Sequence, residues 1–172
     1  MTDPAGRGAD IPLLGRYWRV GARTRVTVVI WLLRHGDAEA GEDDDSRRLT
    51  GKGQRQAGLA GRALAGLGVP LDACLSSPKR RAFDTARLAS QYVGVNAEPS
   101  GALAGGDFDP DELASGRDST LLVGHEPDFS RAIERSTGAQ IDLKKGGIAA
   151  FEDGTLLTLL RPDQIEAIAR GG

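Results

Sequence analysis

The sequence holds two histidines, His35 and His125, and each closely follows a strand-like run, Val26 to Leu33 in one case and Thr120 to Val123 in the other. Two parallel strands bring both imidazoles to the same edge of a sheet. Each histidine also adjoins a glycine, Gly36 or Gly124, which allows a tight turn or a close approach to a ligand. One such histidine alone reads as a satisfied loop residue; two at equivalent strand ends point to a site. Arg34 precedes His35, and Arg81 lies shortly after a further strand-like run in Ser76-Ser77-Pro78-Lys79-Arg80-Arg81. Guanidinium groups offer fork-shaped donors and a fixed charge matched to phosphate oxygens. The chemistry expected from two imidazoles and two guanidinium groups is therefore phosphoryl binding or transfer. Of the neighbours Arg80 and Arg81, one suffices, and the other reads as part of a solvated helix face.

Other chemistries find less support. Two histidines and one distant cysteine do not match zinc spacings. The acidic run Glu42-Asp43-Asp44-Asp45 lacks the alternating ligand spacing of a calcium loop and reads as a solvated loop. No Gly-rich nucleotide fingerprint follows the first strand. Cys74 falls in a strand expected to be buried and reads as core rather than nucleophile. No metal and no cofactor are expected. Lys144 and Lys145 read as a solvated basic pair, with docking of an acidic partner surface as the alternative.

The elements that must position these residues alternate between strand and helix. Val26 to Leu33 is apolar except for Thr27 and suits a strand buried on both faces. Thr50 is a helix N-cap candidate, followed at helical spacing by Ala57, Ala60, Ala63, Leu64 and Leu67, with Gly68 and Pro70 as the stop. Leu71 to Ser76 reads as a strand. A helix starts at Pro78 and runs to about residue 92, and Val93 to Ala97 reads as a third strand. Pro99 to Asp107 reads as loop, Pro110 to Ala114 as a short helix, Thr120 to Val123 as a strand and Pro127 to Ser136 as a helix. Ile148 to Phe151 and Leu156 to Leu160 flank Glu152-Asp153-Gly154, a hairpin signal, and Gln164 to Arg170 reads as a terminal helical turn or two. The alternation predicts an α/β fold, a three-layer α/β/α sandwich around a mainly parallel sheet. Sites in such sheets form beyond the carboxyl ends of the strands.

Length and composition set outer bounds. The chain has 172 residues, 40% of them hydrophobic and 27% charged, as in an ordinary globular domain. Residues 1–25 are rich in Gly, Arg and Pro without a sustained period and read as an N-terminal extension; the domain is expected over 26–172. The net charge of −2 gives no reason to expect nucleic-acid binding. The longest apolar run, Val28 to Leu33, is strand-sized, so no membrane association is expected. A secretory signal is not evident near the start, and a single cysteine excludes an intrachain disulfide. A cytoplasmic location is the expectation.

Four blocks then carry a family resemblance. Leu33-Arg34-His35-Gly36 resembles the Arg-His-Gly signature of the histidine phosphatase superfamily, which includes the phosphoglycerate mutases. Arg48-Leu49-Thr50-Gly51-Lys52-Gly53 resembles its Leu-Thr-x-x-Gly stretch. Leu75 to Ala86 resembles its Ser-Ser-Pro-x-x-Arg-Ala-x-x-Thr-Ala block, and Val123-Gly124-His125-Glu126-Pro127 the block holding the second histidine. The resemblance spans about residues 26–160. Asp37-Ala38, the segment Lys144 to Ala149 and the compact length are most similar to the short SixA branch, the phosphohistidine phosphatases. The resemblance implies a phosphoglycerate mutase-like fold and metal-independent catalysis. His35 is implied as a nucleophile that forms phosphohistidine, with Arg34, Arg81 and His125 around the transferring group. It leaves the proton donor open among Glu126, Asp37 and none. It implies a phosphohistidine-bearing protein as substrate, with a small phosphate ester as the alternative. A catalytically silent phosphate-binding module is the competing class.

Overall fold

The computed structural model describes residues 27–171. The reading of residues 1–25 as an extension lies outside the described residues. One six-stranded sheet runs in the order β3-β2-β4-β1-β5-β6. Its strands are β1 (Val29–Arg34), β2 (Ala73–Ser76), β3 (Ala97–Pro99), β4 (Ser119–Gly124), β5 (Ile148–Glu152) and β6 (Thr155–Leu160). β3, β2, β4 and β1 pair in parallel, whereas β5 and β6 add an antiparallel hairpin at one side. The helices are α1 (Gly51–Gly66), α2 (Arg80–Val93), α3 (Pro110–Leu113), α4 (Asp128–Thr137) and α5 (Pro162–Gly171). The expected mainly parallel α/β sandwich is thus observed.

Alternation along β1 explains the three layers. Side chains of a strand point to opposite faces in turn, and β1 sits in the middle of the sheet. Trp31 and Leu33 join Ala60, Ala63 and Leu64 of α1, Ala86 and Ala89 of α2, and Ile165 of α5. Ile30 and Leu32 join Phe129 and Ile133 of α4 in a second cluster. Every one of these side chains is buried, so the strand must be apolar throughout, as its sequence is. Cys74 of β2 belongs to the first cluster. Burial, reinforced by the nearby Glu98 carboxylate, pushes its thiol pKa up to about 12.

The largest departures from expectation lie at β3 and α5; smaller ones are the later starts of β1 at Val29, β2 at Ala73 and α2 at Arg80, and a short 3₁₀ turn at Gly101–Leu103 within the expected loop. The segment Val93 to Ala97 does not form the third strand: α2 continues to Val93, and β3 occupies Ala97–Pro99. Gly94 at φ 73° supplies the left-handed residue that ends α2, so the chain turns before it can pair. The terminal helical turn expected at Gln164 to Arg170 is a ten-residue helix, α5, anchored by the buried Ile165. Among the described residues, no helix is long and apolar enough to cross a membrane.

Candidate active site

Three strand ends build the site. Register places Arg34 of β1 opposite Gly124 of β4, and Ser76 of β2 opposite Val123 of β4. Pairing continues one residue further: the His35 amide donates to Gly124 O at 3.0 Å, and the Ser77 amide to Val123 O at 2.9 Å. His35, Ser77 and His125 therefore emerge side by side at the carboxyl edge, where open α/β sheets place their ligands. The two imidazole centroids lie 5.1 Å apart, tilted by 58°. Arg81 reaches the same point from the first turn of α2. His35, Arg81 and His125 are 6, 6 and 7% exposed, so the site is recessed.

Hydrogen bonds assign the tautomers. His35 Nδ1 lies 2.7 Å from Gly36 O. A carbonyl only accepts, so Nδ1 carries the proton and Nε2 presents its lone pair. Arg81 Nε donates to that Nε2 at 3.3 Å. Arg81 Nη2 lies 3.4 Å from His125 Nδ1, and since a guanidinium only donates, Nδ1 accepts. His125 Nε2–H then donates to Ser77 Oγ at 2.8 Å. Burial lowers the His35 pKa to about 4; the Gly36 carbonyl opposes this, while the Arg81 and Arg34 charges add to it. Burial likewise takes His125 to about 3, helped by His35 and Arg81. Both rings are neutral near pH 7, as a nucleophilic imidazole requires.

Arg34 Nη1 donates to Leu143 O at 2.8 Å, which ties it to the segment before β5. Its Nε is buried without a hydrogen-bond partner. The turn before β5 grips the same strand end: the Gly146 amide lies 3.1 Å from both Arg34 O and His35 O.

The loop after His35 is fixed by a glycine contact. The Gly36 amide donates to Thr85 Oγ1 at 3.1 Å, and Thr85 Oγ1 donates to Arg81 O at 2.7 Å. Behind it, the first turn of α1 presses against the loop. A Cβ on Gly53 would meet Asp37 O at 1.9 Å, and one on Gly36 would meet Gly53 O at 2.5 Å. Thr50, the N-cap, accepts from the Gly53 amide at 3.1 Å and donates to Asp37 Oδ2 at 3.0 Å. Gly53→Ala is therefore expected to lower unfolding stability by about 3 kcal/mol, the upper end of overpacking costs, because the atoms met are backbone. Gly58→Ala, on the same helix with nothing within 4 Å, is expected to gain up to about 1 kcal/mol. Urea unfolding of both variants checks this; equal stabilities would refute the backbone contact.

The sequence matches the profile of the histidine phosphatase superfamily (branch 1) over residues 30–136. The chain belongs to the histidine phosphatase superfamily. An uncharacterised protein of Picosynechococcus sp. is 32% identical over 140 residues, covering 73% of this chain and 85% of its own length. The mitochondrial serine/threonine-protein phosphatase Pgam5 of Drosophila melanogaster is 33% identical over 70 residues, 40% of this chain but only 24% of Pgam5. Among solved structures, the protein histidine phosphatase SixA complexed with tungstate superposes with a TM-score of 0.69 at 23% identity, covering 79% of this chain and 98% of that one. A candidate phosphohistidine phosphatase SixA from Agrobacterium tumefaciens gives 0.67 at 22% identity, with 78 and 98% covered. These two likenesses establish the phosphoglycerate mutase-like fold.

In this superfamily member, all five expected site residues lie at the sheet's carboxyl edge or at the start of the element that follows a strand. Glu126 follows His125 directly. Burial raises its pKa against the opposing influence of Ser130 and the Arg34 charge, and its Oε1 is buried without a hydrogen-bond partner. Asp37 is differently placed. Its carboxylate pairs with Lys145 at 3.0 Å and with Thr50, and these contacts hold its pKa below the usual carboxylate range. These contacts clamp the loop that follows His35. Lys145 is correspondingly no free member of a solvated pair, whereas Lys144 pairs with Asp142.

The acidic run is exposed, as expected, but its loop also docks onto the start of α2. Asp44 reaches Arg81 and Lys79 through its carboxylate, and Asp45 O accepts from the Arg80 amide at 2.9 Å. Sequence reasoning missed Asp44, Ser77 and Thr85. The last two stand inside the Ser-Ser-Pro block and carried a signal; Asp44 carried none beyond its charge. Among the described residues, no group of three or more His, Cys, Asp or Glu side chains is arranged to hold a metal ion.

Proposed function

We propose that the protein is a metal-independent phosphatase that works through a phosphohistidine intermediate on His35. The observation that carries this reading is the His35 ring: Nδ1 is tied to Gly36 O, leaving the Nε2 lone pair beside Arg81 and His125. Nε2 attacks phosphorus, a P–N bond forms, and the bond to the leaving group breaks with its electron pair. Water then attacks phosphorus, the P–N bond returns its pair to Nε2, and phosphate departs. Arg34, Arg81 and His125 stabilise charge on the equatorial oxygens, the main demand of phosphoryl transfer. His125 acts here as a neutral hydrogen-bond donor, since burial keeps it uncharged.

The substrate we favour is phosphohistidine on a protein. Its leaving imidazole departs neutral once protonated and depends little on a dedicated acid. The likeness to SixA, described as a protein histidine phosphatase, supports this choice. A second reading, a small phosphate ester, is favoured by one observation, the buried and unpartnered Glu126 Oε1. A carboxyl whose pKa is raised by burial suits proton delivery to a leaving oxygen, and its carboxylate can later take the proton of the attacking water.

Turnover of a phosphohistidine protein and of p-nitrophenyl phosphate, measured side by side, separates the readings. The phosphohistidine protein is expected to be the better substrate. Glu126→Gln is expected to slow ester hydrolysis by about 10²-fold and phosphohistidine hydrolysis by much less. Turnover of esters alone would overturn the substrate choice, and equal rates in the variant would remove Glu126 from the chemistry.

A further inference from the structure

The guanidinium of Arg81 is already spoken for by an anion. Its Nη1 donates to the backbone carbonyl of Asp44 at 2.5 Å, and its Nη2 to Asp44 Oδ2 at 3.1 Å. The same Oδ2 accepts from Lys79 Nζ at 2.6 Å. The carboxylate is held from behind, since Arg47 Nη1 donates to Oδ1 at 3.1 Å and Arg47 Nε to Glu39 O at 2.8 Å. The loop that carries it is built, not loose. Glu39 N donates to Arg48 O, Asp45 N to Asp43 Oδ1, and Arg80 N to Asp45 O. Asp44 nonetheless remains half exposed, so it can swing away without opening the core.

This arrangement bears on a difficulty that any such site faces. Arg34, Arg81 and Lys79 around two imidazoles form a strong trap for a phosphate dianion, which is also the product. We propose that Asp44 is a counter-anion built into the phosphate site: it competes with bound phosphate for Arg81 and Lys79 and thereby weakens the grip on product. The proposal rests on the phosphatase reading above. Asp44 touches no reacting atom; it acts through Arg81 and Lys79 as a positioning and affinity-setting residue. While phosphate is absent, Asp44 also holds the Arg81 fork in place, with its Nε aimed at His35. When a phosphoryl group arrives, its oxygens take over the donors that Asp44 had occupied, and the carboxylate reclaims them as phosphate leaves. Opposed charges in close contact make both exchanges short in distance.

Calorimetric titration with inorganic phosphate tests this without relying on turnover. Asp44→Asn is expected to bind phosphate about tenfold more tightly than the wild type and to show product inhibition at correspondingly lower phosphate. Asp44→Glu, which keeps the charge, should stay close to the wild type. Asp43→Asn removes the same charge from the same loop without touching Arg81 and should shift affinity by less than about twofold. Arg81→Ala should weaken phosphate binding about tenfold or more. Unchanged or weaker phosphate binding by Asp44→Asn, with Arg81→Ala weakened as expected, would overturn the role of Asp44 alone. Unchanged binding in Arg81→Ala would instead overturn the phosphate site on which the proposal stands.

Discussion

Replacing His35 with alanine is expected to reduce turnover by at least ~10⁴-fold, the scale seen when a covalent nucleophile is removed, and to leave no phosphoenzyme on the chain after an alkaline quench, the condition under which a phosphohistidine survives. The size follows from the proposed role: without His35 the nitrogen that would form the P–N bond is gone, and with it the covalent step. Quenched single-turnover labelling with a radioactive phosphate donor checks both parts. Residual turnover above a few per cent would remove His35 as the nucleophile. The same argument fixes a protonation state. With its pKa lowered to about 4, His35 carries a blocking proton only in acid, so the reactive form is complete above about pH 5. An NMR titration of the two imidazoles should show neither of them taking up a proton between pH 5 and 8. A histidine titrating near 6.5, absent from the His35→Ala spectrum, would contradict the buried and neutral nucleophile.

Arg81→Lys is expected to cut kcat by about 10²-fold or more, although the formal charge is kept. An ammonium cannot reproduce a planar fork that donates at once to His35 Nε2, to the Asp44 loop and to His125 Nδ1. Loss of one preorganised donor to a developing charge typically removes about 10²–10³ in rate, and an ammonium cannot hold the fork's geometry. Steady-state kinetics should show the change mainly in kcat, because charge attraction to the ground-state phosphate survives. A rise confined to KM would show that Arg81 binds substrate without favouring the transition state.

Much of this site is legible in the sequence because strand ends are predictable. A run as apolar as Ile30-Trp31-Leu32-Leu33 has to be central in a sheet, and two such runs followed by histidine leave few places for the imidazoles to go. The donor to Gly36 O was foreseeable for the same reason, since the ring and that carbonyl are one residue apart. Asp44 was not. Four acidic residues in a row look alike, and only tertiary docking of the loop onto the start of α2 selects one of them to meet Arg81, 37 positions away. Lys145 and Asp37 are 108 positions apart, and their pairing depends on the turn that brings β5 beside β1. The shift of β3 has a local cause: Val93 and Val95 have strand character, but Gly94 in the left-handed region ends α2 between them and delays the strand. Glu126 was legible in position, while its burial depends on how α4 packs.

The lone cysteine gives the chemistry an unexpected robustness. Phosphatases that attack through sulfur depend on an exposed thiolate, the form that oxidants and alkylating agents also seek. Here the one sulfhydryl in the sequence sits in β2 at 1% exposure with its thiol held protonated, and the proposed attacking atom is nitrogen. Oxidants and alkylating agents that silence thiol-based phosphatases are therefore expected to spare the proposed nitrogen-based chemistry.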